Sequence, residues 1–123
     1  MTQEELLRLP KVELHCHLDG SLSQEFIEKR LGRSVKKEEL SVSDDCTSLA
    51  EYLEKFDMPC QCLRDEAGLE EAGYDVLKSM SRERVCYAEI RFAPLFSETE
   101  SMSCKRAMEA LIKGLERGKQ DFD

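Results

Sequence analysis

Three observations in the sequence predict an α/β fold with parallel strands joined by right-handed crossovers. The element order reads strand, helices, strand, helix. Both strand-like segments, at 11–18 and 84–94, alternate side chains of unlike polarity with period two. About 65 residues separate Asp19 from Val85, far more than one crossover helix and its short loops need, so extra helices are expected above the end of the first strand. In a barrel that is the active-site end. Two strands cannot form a sheet covered on both faces, so the architecture is expected to be incomplete. The 123 residues suit one small domain or a piece of a larger one.

Each element has a local reason. Residues 3–9 give one or two helical turns that Pro10 stops, and the first strand follows. "SLSQEFIEKRLG" opens with the capping-box spacing Ser21 to Gln24, continues with Phe26, Ile27 and Leu31 at helical spacing, and closes on Gly32 as C-cap. After a polar stretch at 33–46, "TSLAEYLEKF" places Leu49, Tyr52, Leu53 and Phe56 on one helical face before "DMP" ends it. A longer helix is predicted from about Cys62 to Arg82, with Gly68 and Gly73 as weak points in its continuity. The second strand, "RVCYAEIRFAP", is rich in β-formers and ends at Pro94. Then "SCKRAMEALIKGLERG" carries Ala107, Met108, Leu111, Ile112 and Leu115 at helical spacing, with Ser103 as cap and Gly118 near the stop.

Composition narrows the partners. With 41% hydrophobic and 36% charged residues a core can form, and a net charge of -8 disfavours nucleic acid or an anionic membrane. Neither a secretory signal nor an apolar span is visible, which predicts a cytoplasmic protein whose six cysteines are free thiols. Cys60 and Cys62 could be half of a metal site, but no second pair follows at finger-like spacing.

Period-two alternation places Val12, Leu14, Cys16 and Leu18 on one face of the first strand, expected to pack on helices. Glu13, His15, His17 and Asp19 then form the other face. That polar row is either a strand edge turned to water or a row facing a barrel lumen. Both histidines of the chain sit two apart on it, which favours the lumen. The second strand repeats the pattern, with Cys86, Ala88, Ile90 and Phe92 opposite Val85, Tyr87, Glu89 and Arg91. If that row is inward and buried, Glu89 and Arg91 need partners: each other, Glu13, or groups outside the chain. Arg91 reads first as a structural ion-pair partner and second as a substrate contact.

Two imidazoles on one strand face can reach a single ion, and by ligand type zinc fits best. Histidine is also a common satisfied polar residue, so the spacing alone is only moderately specific. The stretch "LPKVELHCHLDGSL" closely resembles the first strand of adenosine deaminases, metal-dependent amidohydrolases built as TIM-type (β/α)8 barrels. "SLAEYLEKFDMP" resembles the lid helix of that family and "YAEIRFAPLF" its second strand. The resemblance is of bacterial type and covers nearly the whole chain. It implies that residues 1–123 are the N-terminal part of one such barrel: its first two βα units, with extra lid helices after the first strand.

The same resemblance implies that His15 and His17 bind Zn2+, that His17 also lies beside the substrate, and that Asp19 accepts a ribose hydroxyl hydrogen bond. Leu49, Tyr52, Leu53 and Phe56 would form the apolar gate over the purine. A carboxylate placed for a hydroxyl discriminates against a ligand lacking one, and because related adenine deaminases tend to place Glu at this position, the resemblance implies that Asp19 favours a nucleoside over the free base. An ordinary Asp-Gly turn after a strand explains Gly20 but leaves the choice of Asp at 19 open. The implied reaction is zinc-assisted hydrolytic deamination of adenosine or deoxyadenosine to inosine or deoxyinosine plus ammonia, in purine salvage. The general acid and remaining zinc ligands of that family have no counterpart within 1–123, so this chain alone is expected to be inactive. The His-x-Glu and Pro-Cys-x-x-Cys pattern of cytidine-deaminase chemistry is missing. Three other readings stay open: an adenine deaminase fragment, a metal phosphoesterase barrel fragment, which also opens with His-x-His, and a non-enzymatic module whose 49–56 stripe docks a partner helix.

Overall fold

The computed structural model describes residues 1–122. Its elements are α1 (Gln3–Arg8), β1 (Lys11–His17), a 3-10 turn (Leu18–Gly20), α2 (Gln24–Leu31), α3 (Lys37–Leu40), α4 (Leu49–Glu54), α5 (Asp57–Gln61), α6 (Glu66–Arg82), β2 (Val85–Arg91), α7 (Pro94–Ser97) and α8 (Cys104–Asp121). β1 and β2 pair in parallel, and the long excursion between them holds the extra helices. The carboxyl ends of both strands therefore lie at the same end of the sheet.

Short-range chemistry sets the boundaries. Thr2 and Glu5 close a capping box on α1. Ser23, not Ser21, caps α2 by accepting from the Phe26 N–H, because the Ser21 hydroxyl is engaged with the His17 carbonyl at 2.7 Å. Gly32 ends α2 at φ 70°, a left-handed conformation that costs glycine little. Asp65 caps α6 through the Gly68 N–H, so the long helix starts at Glu66 rather than near Cys62. The segment around "DMP" ends α4 and also begins α5: Pro59 sits in the first turn, where its missing N–H has no helical partner to lose. Ser103 caps α8 through the Arg106 N–H, and that helix runs past Gly118 to Asp121.

The glycines that weakened the helical prediction are a packing device. A Cβ at Gly73 would stand 2.9 Å from the Leu111 carbonyl oxygen, and one at Gly114 only 1.9 Å from that of Glu70. α6 and α8 thus touch backbone to backbone, in the most extensive contact between elements of the fold. Arg106, Lys113 and Arg117 of α8 pair with Glu66 and Glu70 of α6 along the rim. Leu18, Ile27, Leu69 and Val76 are the largest fully buried side chains, joined in one core by Leu63, Ala107 and Leu111.

Expectation and structure part at the amino-terminal half of β1. Cys16 and Leu18 are buried as anticipated, but Val12 and Leu14 are each 58% exposed. The extensive contact of β1 is with β2, and α5 and α6 meet the turn beyond it. The register with β2 is also irregular between Lys11 and Val12 and between Glu13 and Cys16, which interrupts the alternation. On α8, Ala107 and Leu111 face the core while Met108 and Ile112 lie 42% and 47% exposed.

The helix contact yields a comparison that chemical denaturation can check. Gly114→Ala is expected to cost ~2–3 kcal/mol, because a methyl group must be accommodated against a backbone. Gly32→Ala, with open space around it and only the left-handed conformation to resist, is expected to cost about 1 kcal/mol. The urea midpoints should fall in that order.

Candidate functional site

His15 and His17 end β1, and their rings lie on one face with centroids 4.8 Å apart. Their Nε2 atoms approach to 2.9 Å, within hydrogen-bond distance, and both side chains are exposed. On β2, Arg91 is in register with His17, and Ile90 with Cys16. Cys16 belongs to the core and Ile90 packs against it, so the imidazoles occupy the opposite side of the sheet from the helices. The backbone beneath them is fixed locally. Glu13 accepts the His15 N–H at 2.9 Å, and the Cys16 thiol bonds Ser21, whose hydroxyl donates to the His17 carbonyl.

The pair suits a divalent metal on the structure's own geometry. Two nitrogens bound to one tetrahedral zinc at ~2.0–2.1 Å stand roughly 3.3 Å apart. The 2.9 Å found here is close to that distance. No group of three His, Cys, Asp or Glu side chains suited to holding an ion is assembled among the described residues.

Asp19 leaves the strand. It sits half-buried in the 3-10 turn, so the alternation that carries Glu13, His15 and His17 does not extend to it. The Cys60 thiol of α5 approaches Asp19 Oδ2 at 3.9 Å, and both line a small cleft with Leu63, Phe92, Ala93 and Phe96. Burial first, and the Asp19 charge second, push the Cys60 thiol above its ordinary pKa. Cys62 instead turns to the Met58 carbonyl, so the two cysteines do not converge. The sequence offers Cys60 only as half of a metal site with Cys62, and it does not mark Phe92 and Phe96 as site residues. The signal available was positional: Phe92 and Phe96 follow β2 at the same sheet end as His17.

The four residues expected to form a gate fall where two short helices meet rather than on one continuous helix. Leu49 is 71% exposed, Tyr52 and Leu53 about half exposed, and Phe56 lies in the joint between α4 and α5. Tyr52 and Phe56 meet edge to face with centroids 5.6 Å apart. Phe56 also rests on the strand-end turn, since a Cβ at Gly20 would be 3.1 Å from its Cε1. Gly20 is thus explained by the ring above it, with no left-handed backbone required.

Of the second polar row, the Tyr87 hydroxyl donates to Glu89 at 3.0 Å, a bond that raises the Tyr87 pKa. Arg91 donates to the Leu14 carbonyl at 3.3 Å. The ion pair anticipated for Glu89 and Arg91 does not form among the described residues. Both side chains are exposed, so neither charge demands one.

A family model described as Adenosine deaminase matches residues 10–123. The chain belongs to the adenosine deaminase family. It is 40% identical over 128 aligned positions to an adenosine deaminase of Clostridium perfringens, covering 96% of this chain and 39% of that relative. The chain thus spans about two fifths of the length of the curated relative it matches. Among solved structures, an Arabidopsis protein named ADAL, crystallised with IMP, superposes with TM-score 0.72 at 28% identity, over 93% of this chain and 36% of that one. A zinc-bound amidohydrolase from Burkholderia ambifaria shares the fold, with TM-score 0.74 at 20% identity over 99% of this chain and 36% of that one. These are TIM-barrel amidohydrolases of which this family member reproduces about a third, with an incomplete, two-stranded parallel sheet.

Thiol reactivity offers a check on the Asp19 cleft. At neutral pH, Cys60 is expected to react with iodoacetamide about tenfold more slowly than exposed Cys86. Mass spectrometry of a time course would measure it. Asp19→Asn removes a negative charge beside the thiol and should narrow the gap.

Proposed function

We propose that the chain supplies the first two βα units of a zinc-dependent adenosine deaminase barrel, with residues 1–123 belonging to that single domain. The observation that carries this reading is the convergence of the His15 and His17 Nε2 atoms at the carboxyl end of a parallel sheet. These two side chains would hold the metal, and a fold neighbour is crystallised with bound zinc. Zinc in such a site supplies an activated water for hydrolytic removal of an exocyclic amino group.

The chain's own residues would do the rest of their work by holding the nucleoside. Asp19, half-buried at the strand end, accepts a hydrogen bond from a ribose hydroxyl and so selects a nucleoside over a free base. His17 lies beside the bound purine, and Leu49, Tyr52, Leu53 and Phe56 cover it and exclude water. The substrate reading is adenosine or deoxyadenosine, giving inosine or deoxyinosine and ammonia in purine salvage. It is supported by curated relatives at 39% and 40% identity that carry the adenosine deaminase name. The six free thiols agree with a cytoplasmic setting. General acid and further metal ligands must come from outside these residues, since the chain has two histidines in all.

The test is a chimera of the Clostridium perfringens enzyme in which residues 1–123 replace the matched segment. It should convert adenosine to inosine by ultraviolet absorbance, whereas purified 1–123 should show no turnover. Within the chimera, His15→Ala or His17→Ala should lower kcat/KM by more than about a hundredfold, beyond what loss of a supporting contact costs. Asp19→Ala should lower it about 10- to 100-fold, with KM moving most. A chimera that folds, binds zinc and leaves adenosine untouched would overturn the reading.

A further inference from the structure

Asp19 is half-buried, yet its carboxylate makes one hydrogen bond among the described residues, the 3.9 Å approach of the Cys60 thiol to Oδ2. Oδ1 makes none there. A carboxylate drawn away from bulk water needs more acceptor sites filled than that. Burial first, and the Asp19 charge second, hold the Cys60 pKa above its ordinary value, so at neutral pH the thiol is protonated and free to donate.

Across the same cleft stands Ser97, at the end of α7 and only 3% exposed. Its hydroxyl also makes no hydrogen bond among the described residues. Since no side-chain polar atom among them is both sealed from solvent and unpartnered, this hydroxyl opens to water, and the opening it lines is the cleft. The free volume there is about 10 Å³, the size of one water and far too small for a sugar or a base. A bound water needs roughly two to four polar partners, which Asp19, Ser97 and the Cys60 sulfur supply.

We propose that Cys60 and Ser97 are positioning residues for Asp19: the thiol holds one carboxylate oxygen directly, and the Ser97 hydroxyl reaches the carboxylate through a single water seated in the cleft. The consequence for substrate rests on the deaminase reading above, whereas the anchor itself does not. The two anchors come from different elements, α5 and α7, so the carboxylate is fixed between the ends of both strands with a lone pair left for the ribose hydroxyl. Fixing it beforehand removes rotamer freedom that substrate binding would otherwise have to offset. The competing account is plain packing, in which Cys60 and Ser97 only fill space beside Leu63, Phe92 and Phe96.

The experiment uses the Clostridium perfringens chimera described above. Ser97→Ala and Cys60→Val should each raise KM for adenosine about 3- to 10-fold while kcat stays within about twofold, and Cys60→Ser, which keeps a donor, should restore KM. Among 2′-, 3′- and 5′-deoxyadenosine, the isomer whose KM Asp19→Ala leaves unchanged lacks the hydroxyl that Asp19 accepts. For that isomer, and for adenosine in the Asp19→Ala background, Ser97→Ala and Cys60→Val should have no effect. Packing alone would raise KM for both substrates and would persist without the carboxylate; that result overturns the proposal, as does an unchanged KM for adenosine. Crystal structures of the chain, alone or within the chimera, supply a readout that needs no turnover and decides the matter where a variant fails to fold. They should show an ordered water within hydrogen-bond reach of Asp19 and of Ser97 Oγ, lost in Ser97→Ala. A structure without that water, or a Ser97→Ala structure that keeps it, overturns the proposal even where adenosine is converted. A chimera that holds the water but leaves adenosine untouched keeps the anchor and rejects the deaminase reading.

Discussion

The close contact between α6 and α8 is the constraint on which the rest of the fold depends. Gly73 and Gly114 remove the side chains that would hold the two helices apart, and acidic α6 and basic α8 lock together along their rims. Helix α6 delivers the chain into β2, and the Arg84 carbonyl then accepts the Lys11 N–H at 2.9 Å to start the ladder with β1. Arg84 makes this connection with φ at 58°, a left-handed conformation that a non-glycine residue adopts at some cost. Parallel pairing follows from this geometry. A two-stranded parallel sheet is rarely stable by itself, and here it is held by the helical layer on one side.

Parallel pairing also decides where chemistry can gather. Both strands end together, so Asp19 after the first and Phe92, Ala93, Phe96 and Ser97 after the second line one cleft with Cys60. The imidazoles stand on the other side of β1 from the core, while Asp19 leans back toward α5. Two neighbouring environments therefore come from one strand end: an open imidazole pair and a half-enclosed carboxylate. Under the proposed function this division is useful, since a metal ligand must be reachable whereas a carboxylate that selects a hydroxyl gains from exclusion of competing water.

Much of this was legible in the sequence because the signals were local. The period-two alternation of 11–18, the helical stripe of 104–115, Gly32 and Ser103 each act within a turn or two, and the parent family followed from the motif around His15 and His17. What escaped depended on partners distant in sequence. Ser21 lost the capping role to Ser23 because the His17 carbonyl claimed its hydroxyl. Gly68 and Gly73 looked like breaks, yet the first meets the Cys62 carbonyl and the second the backbone of α8. Val12 and Leu14 carry the pattern of a buried row, but burial needs something to cover them, and both are 58% exposed. Cys60 gave no hint of its neighbour, since only the fold of 57–63 brings it to Asp19.

The seat of Phe56 on Gly20 ties two parts of the sequence into one steric unit. A methyl group at 20 would already press on the ring, and anything larger would have to push it off the turn. Bulk is therefore shared between the two positions: what one gains the other must give up. Among related chains, the residue that follows the strand-end carboxylate and the aromatic at the joint of the cover should change size in opposite directions, or not at all.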